Sequence, residues 1–215
     1  KDIAEPLHLY QAGSKSFAPV ASLGKSNLPT PSTTFVGRVR ELAAVNRLLD
    51  AEGVRLVTLT GPGGIGKTRL ATELAGRRVA RPPEGSWWID LASIGDSHLV
   101  PDAISKVIGA HGDVAQFLGQ RRCALVLDNF EHLQGAAGFV GDLIRRCENL
   151  EVIVTSRSPL RLASELRFAV EPLAESDAVV LFCARALAAG VVVRKSEQIA
   201  AICRQVLDLR AEVVA

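Results

Sequence analysis

The chain has 215 residues, 48% of them hydrophobic, and a formal net charge of +2. That is the composition of a soluble globular protein with room for one full domain and part of a second. Its nearly balanced, scattered charge excludes the concentrated basic face of a nucleic-acid reader, and no apolar run approaches the ~20 residues that cross a bilayer.

The N-terminus has no apolar core segment of the kind a signal peptide needs. Cys123, Cys147, Cys183 and Cys203 form no C-x-x-C pair, which argues against a zinc site. They read as small buried hydrophobes in a reducing compartment, so the cytoplasm is the expected location. A chain that begins at Lys1 and holds no methionine reads as a fragment of something longer.

Taken in chain order, Asp2–Tyr10 reads as a short strand. Ser14 to Thr34 is rich in Ser, Pro, Gly and Thr and reads as a linker. Leu42, Val45, Leu48 and Leu49 recur at helical spacing and predict a helix over Val39–Leu49. Val54–Thr60 is an apolar strand. It runs directly into Gly61-Pro62-Gly63-Gly64-Ile65-Gly66-Lys67-Thr68, which fits the pattern G-x-x-x-x-G-K-[ST] at every position and opens a helix over Lys67–Ala80. Such a loop curls so that its backbone N–H groups face phosphates, and the helix N-terminus adds a favourable dipole. Lys67 would reach the β- and γ-phosphates, and the Thr68 hydroxyl would ligate Mg²⁺.

Further strands are predicted at Trp87–Leu91, Cys123–Asp128, Glu151–Thr155 and Arg167–Val170. Helices are predicted at Leu99–Ile108, Val114–Leu118 and Ala136–Cys147. Continuous apolar strands separated by helices predict an α/β fold: a three-layer parallel sheet with helices on both faces. Beyond Leu173 the pattern is purely helical, over Glu175–Ala189 and Ser196–Leu207, as in a helical subdomain cut short. The predicted divisions are 1–34 (strand and linker), 35–172 (P-loop domain) and 173–215 (incomplete helical subdomain).

A triphosphate site needs a second Mg²⁺ anchor at the carboxyl edge of a neighbouring strand. Asp128 ends an apolar run and supplies one. Asn129 follows where many hydrolysing enzymes carry a second acid, and an amide holds a water without taking its proton. Glu131 and His132 could substitute, or be ordinary loop residues. Slow hydrolysis, suiting a switch more than a motor, is the expectation. Arg157 follows the fourth strand, whose end should lie beside the phosphate loop, within reach of a γ-phosphate.

Together these motifs resemble the NB-ARC or AfsR-type branch of the STAND signalling ATPases, over roughly residues 28–207. Phe35-Val36-Gly37-Arg38-Val-Arg-Glu41 is similar to the box that lies by adenine and ribose in that family, which implies nucleotide contacts for Val36, Gly37 and Arg38. Residues 59–71 are similar to its phosphate loop through Arg69 and beyond. Leu125–Leu133 resembles its Walker B segment, and Val154–Arg157 its sensor segment. Val170–Leu173 with Ala178 and Leu181-Phe182 resembles the entry to its helical subdomain. Lys1–Gln11 looks like the last strand of a class III nucleotide cyclase domain, and a LuxR-type helix-turn-helix closes some relatives.

The resemblance implies an ATP/ADP-binding switch with Mg²⁺ from a multidomain transcriptional regulator. Its partners would be cyclase-like and helix-turn-helix domains, or further copies when ATP is bound. No direct nucleic-acid or membrane contact is expected of this segment. One departure is clear: Gln205–Ala215 carries no Gly-Leu-Pro-Leu-Ala box, whose proline packs on the adenine in relatives. Two other readings therefore stand beside the switch, a continuously hydrolysing ATPase and a truncated non-catalytic remnant.

Overall fold

The strands β1 (Leu56–Thr60), β2 (Ser86–Asp90), β3 (Cys123–Asp128), β4 (Leu150–Ser156) and β5 (Glu165–Ala169) form one sheet. Its order is β2-β3-β4-β1-β5, and every pairing is parallel. The computed structural model describes residues 26–78, 85–193 and 197–212, with 207–212 as backbone. The strand expected at Asp2–Tyr10 lies outside the described residues.

The sheet is buried on both sides because successive strand residues face opposite ways. Leu125, Leu127, Val152 and Val154 face one core, and Val126 and Ile153 face the other. Helices α3 (Val100–Ile108), α4 (Val114–Leu118) and α5 (Ala137–Arg146) cover the first face. Helices α1 (Val39–Asp50) and α2 (Lys67–Arg78) cover the second. This is the three-layer arrangement that the apolar strands predict.

Helices α6 (Glu175–Ala188) and α7 (Glu197–Glu212) follow and pack mainly on one another. No side chain of α6 is fully buried. On α7, Ile199 and Cys203 are buried, whereas Ile202 and Val206 are each 47% exposed. Helix α7 therefore carries an exposed apolar stripe. Helix α7 runs past the predicted end at Leu207, because Asp208–Glu212 contains no Gly or Pro to stop it. Among the described residues, no helix is long and apolar enough to cross a membrane.

Ser26 and Asn27, read from composition as part of a linker, lie along the free edge of β2. Ser26 bridges Ser86 in parallel. Asn27 behaves as a strand in miniature: its Oδ1 accepts from Trp88 N at 2.7 Å and its Nδ2 donates to Trp88 O at 2.9 Å. One side chain thus satisfies an edge that would otherwise expose unpaired backbone groups.

Candidate functional site

The carboxyl ends of β1, β3 and β4 bring the predicted residues together. β4 lies between β1 and β3, with Thr60 opposite Ser156 and Leu127 opposite Val154. The loop after β1, Asp128 at the tip of β3 and Arg157 after β4 therefore share one edge. They line a cleft of about 650 Å³ with Thr68, Asp90, Asn129 and Glu131. Pro29, Pro31 and Thr33 close it on the side of the β2 edge.

The loop needs its glycines. Gly64 and Gly66 sit at φ 72° and 100°, which side chains rarely adopt. A Cβ on Gly63 would lie 3.6 Å from Arg157 Nη2, which places the guanidinium against the loop, as the motif order predicts. Lys67 turns back on the loop itself, donating to Gly61 O at 2.8 Å and Pro62 O at 2.9 Å. Burial depresses its pKa, while the charges of Glu131 and Asp128 push the other way. Helix α2 begins at Lys67, so its first-turn N–H groups face the cleft with the positive end of the helix dipole.

Asp128 is 3% exposed. Its Oδ1 accepts from the hydroxyls of Thr68, at 2.9 Å, and Thr155. Its Oδ2 accepts from Asn129 Nδ2 at 3.2 Å. Burial raises its pKa despite these bonds, and Asp90 and Glu131 add to the rise. An oxygen pair from Thr68 and Asp128, with the carboxylate buried beside the loop, suits a hard divalent cation. These residues fit Mg²⁺, and they are the ones the sequence nominates.

Asn129 sits at φ 63° and spends its amide on acids, donating to both Asp128 and Asp90 (3.3 Å). Asp90 belongs to none of the motifs in the sequence. The available signal was its position, since it ends the run Trp87–Ile89 as Asp128 ends its own, and the two are register partners. Thr155 was likewise missed as a ligand of Asp128.

A second, mostly apolar groove of about 550 Å³ lies between the phosphate loop and the α6–α7 pair. Phe35, Val36, Ile65, Leu173 and Leu181 line it, and Arg38 and Arg69 border it. Arg38 is 6% exposed and left-handed at φ 57°. Its Nη2 bonds to Ile65 O (2.8 Å) and Glu171 O (3.0 Å), and its Nη1 pairs with Glu41. Arg38 thus ties the phosphate loop to the segment leaving β5. Arg69 stacks over Phe35 at 5.3 Å and donates to Thr33 O. Gly37, at φ 68°, lets α6 approach: a Cβ there would meet Asp177 Oδ2 at 2.4 Å.

No protein-family model matches the chain. It resembles domain III of the replication initiation protein DnaA of Thermotoga maritima, with a TM-score of 0.54 and 14% identity, over 85% of this chain and 83% of that one. It resembles Cdc6p of Pyrobaculum aerophilum with a TM-score of 0.57 and 13% identity, over 79% and 54% of the two chains. The chain has the P-loop ATPase fold.

A Pyrococcus horikoshii STAND protein with a tetratricopeptide repeat sensor shares this fold. The TM-score is 0.54 and the identity 18%, over 84% of this chain and 29% of that one. In sequence, the chain is 38% identical over 164 residues to an uncharacterised protein of Mycobacterium tuberculosis. It is 39% identical over 142 residues to a putative HTH-type transcriptional regulator of the same species, covering 61% of this chain and 16% of the regulator. It is 28% identical over 191 residues to the regulatory protein AfsR of Streptomyces coelicolor, covering 75% of this chain and 18% of AfsR. The first of these matches covers 72% of this chain and 41% of the relative, so the chain spans well under half the length of the curated relatives it matches.

Proposed function

We propose that this P-loop domain binds ATP and ADP with Mg²⁺ and works as a slowly hydrolysing switch in a longer, cytoplasmic transcriptional regulator of the STAND type. The observation that carries the reading is the 2.9 Å hydrogen bond from Thr68 to Asp128. It joins a hydroxyl of the phosphate loop to an acid on another strand, the two oxygens that would hold Mg²⁺. When bound, the cation would neutralise charge on the phosphates. The chain's own residues would do the rest. The loop N–H groups and Lys67 would hold the β- and γ-phosphates, and Arg157 would contact the γ-phosphate. The base and ribose would lie in the apolar groove near Val36, with Arg38 in its wall and Gly37 letting α6 approach.

The likeness to HTH-type regulators and AfsR supports the regulatory half of this reading. Output through a helix-turn-helix of the LuxR type, a preceding cyclase-like domain, and self-association with ATP bound belong to the same proposal. The groove runs between the phosphate loop and α6–α7, so a change at the γ-phosphate would be felt as a shift of the helical pair against the sheet.

Cys203 reports on that shift, because it is 7% exposed and lines the groove. In a Cys183→Ser protein, the rate at which Cys203 reacts with a thiol reagent is expected to differ at least about threefold between Mg·ADP and Mg·ATP, an opening change of a fraction of a kcal/mol. Equal rates in the two nucleotides at saturation would contradict the switch.

Asp128→Asn separates stability from binding. The folded-state pKa of Asp128 is raised, so the group favours folding when protonated and opposes it once pH rises through the window above its unfolded value. Asparagine keeps an acceptor for Thr68 and Thr155 and removes that opposition at neutral pH. Calorimetry is expected to give a metal-free Tm at or above wild type. The Mg²⁺-dependent part of the ATP affinity is expected to vanish in titration.

A further inference from the structure

The turn after β3 presents one acidic oxygen that, among the described residues, meets no donor. Phe130 is fully buried and pins the short 3-10 turn Phe130–His132. Asn129 enters that turn in the left-handed region, so the chain doubles back over the cleft. The side chain brought over the phosphate loop is then Glu131, which lines the cleft with Lys67, Asp128 and Arg157. Its Oε1 accepts from Arg157 Nε at 3.2 Å. Its Oε2 is buried and has no hydrogen-bond partner among the described residues. A buried acceptor left in that condition calls for an explanation in function.

The neighbouring candidates differ: Asp128 and His132 are engaged in hydrogen bonds, and Asp90 is exposed with its Oδ1 engaged. Asp128 Oδ1 accepts from two hydroxyls and its Oδ2 from Asn129. Asp90 Oδ1 accepts from Ala92 N at 2.9 Å as well as from Asn129. The Asn129 amide nitrogen donates to both acids, and an amide takes no proton. His132 is turned to other work, its Nε2 lying 2.7 Å from Ile94 O. Among the charges acting on buried Lys67, that of Glu131 comes first, which agrees with a carboxylate held near the loop.

We infer that Glu131 is the general base of this cleft, with Oε2 as the proton acceptor and Arg157 as the positioning residue that holds Oε1. The inference rests on the reading that Mg·ATP occupies the cleft. Oε2 takes one proton from a water. The water oxygen forms its bond to the γ-phosphorus as the bond from that phosphorus to the bridging oxygen breaks. ADP leaves with that electron pair, the product is hydrogen phosphate, and the proton on Glu131 passes to solvent. A base two positions beyond the residue that follows Asp128 reconciles Asn129 with a hydrolysing site.

The test compares the whole chain as wild type, Glu131→Gln, Asp90→Asn and His132→Gln. Titration calorimetry gives Mg·ATP affinity, single-turnover assays give hydrolysis, and chromatography after denaturation gives the ATP:ADP ratio left on the protein. Wild type and Glu131→Gln are expected to bind Mg·ATP within about threefold of each other, while hydrolysis falls about 100-fold or more in the variant, which retains ATP. His132→Gln is expected to hydrolyse at the wild-type rate. Hydrolysis in Glu131→Gln within about threefold of wild type would overturn the proposal, as would loss in Asp90→Asn with Glu131→Gln intact. Loss of binding in Glu131→Gln would assign the residue to the architecture of the site and overturn it too. A wild type that binds Mg·ATP and never hydrolyses it removes the base and leaves the nucleotide reading standing. A wild type that binds no Mg·ATP removes both.

Discussion

Lys67→Ala is expected to weaken Mg·ATP binding by about 100-fold or more, because a charge-assisted contact to phosphate contributes about 1.5–3 kcal/mol and, on the proposed function, Lys67 would reach two phosphates. The same substitution is expected to leave the Tm of the nucleotide-free protein near wild type. In that state the ammonium bonds to two carbonyls of its own loop, and burial depresses its pKa. Its charge is therefore held at a cost until phosphate arrives, so removing it takes little from the fold. Affinity by titration and Tm by scanning calorimetry, on one preparation, separate the two effects. A parallel fall in both would mean that Lys67 is a structural residue of the loop.

The largest expected loss of stability is at Phe130. Its side chain is fully buried among the residues that cover the α3–α5 face of the sheet, and it anchors the turn that carries Glu131. Truncation to alanine removes the ring and leaves a cavity, costing about 3–5 kcal/mol. For a domain of this size that lowers Tm by on the order of 10 °C. At temperatures where the variant is still folded, hydrolysis is expected to fall more than Mg·ATP affinity. The phosphate loop and Asp128 keep their own supports, whereas the Glu131 turn loses its anchor. Leu127→Ala, from the same core but not from the turn, is the control: it is expected to destabilise by a similar ~2–5 kcal/mol while leaving the ratio of hydrolysis to binding closer to wild type.

The strands that build the sheet are readable because parallel strands buried on both faces carry nearly unbroken apolar runs. Cys123–Asp128 is buried along its whole length, and its predicted bounds coincide with the observed ones. The phosphate loop is readable because its glycines and Lys67-Thr68 are fixed by local chemistry. Arg157 is placed beside the loop by strand order, which its motif implies. What depends on single side chains was out of reach. Asn27 mimics a strand with one amide, and a lone asparagine in a Ser/Pro-rich stretch carries no periodic signal. Glu131 and His132 are equivalent in sequence, and only the turn set by Asn129 and Phe130 sends one over the cleft and the other to Ile94. Arg38 reads as a nucleotide contact by resemblance. It borders the groove, and its left-handed backbone and bonds to Ile65 and Glu171 also brace the loop against the segment leaving β5, which no motif signals.

The same contrast separates the two cavities. The cleft at the phosphate loop holds most of the charged side chains and is framed by strand ends that the sheet fixes in register. The apolar groove depends on α6 and α7, whose helices bury little of their own surface against the sheet. Elements with few buried contacts are the ones that move at low cost. On the proposed function, a cleft framed by the sheet and bordered by a helical wall with few buried contacts would let nucleotide state change shape without disturbing the core.

The most direct test of nucleotide binding is to purify the protein gently, denature it, and identify any released nucleotide by chromatography, then titrate the emptied protein with Mg·ATP. The account predicts ADP or ATP released near one equivalent per chain, or saturable Mg·ATP binding where the protein purifies empty. A protein that releases no nucleotide and does not bind added Mg·ATP would contradict it, and would leave a P-loop fold that does not serve as a nucleotide site.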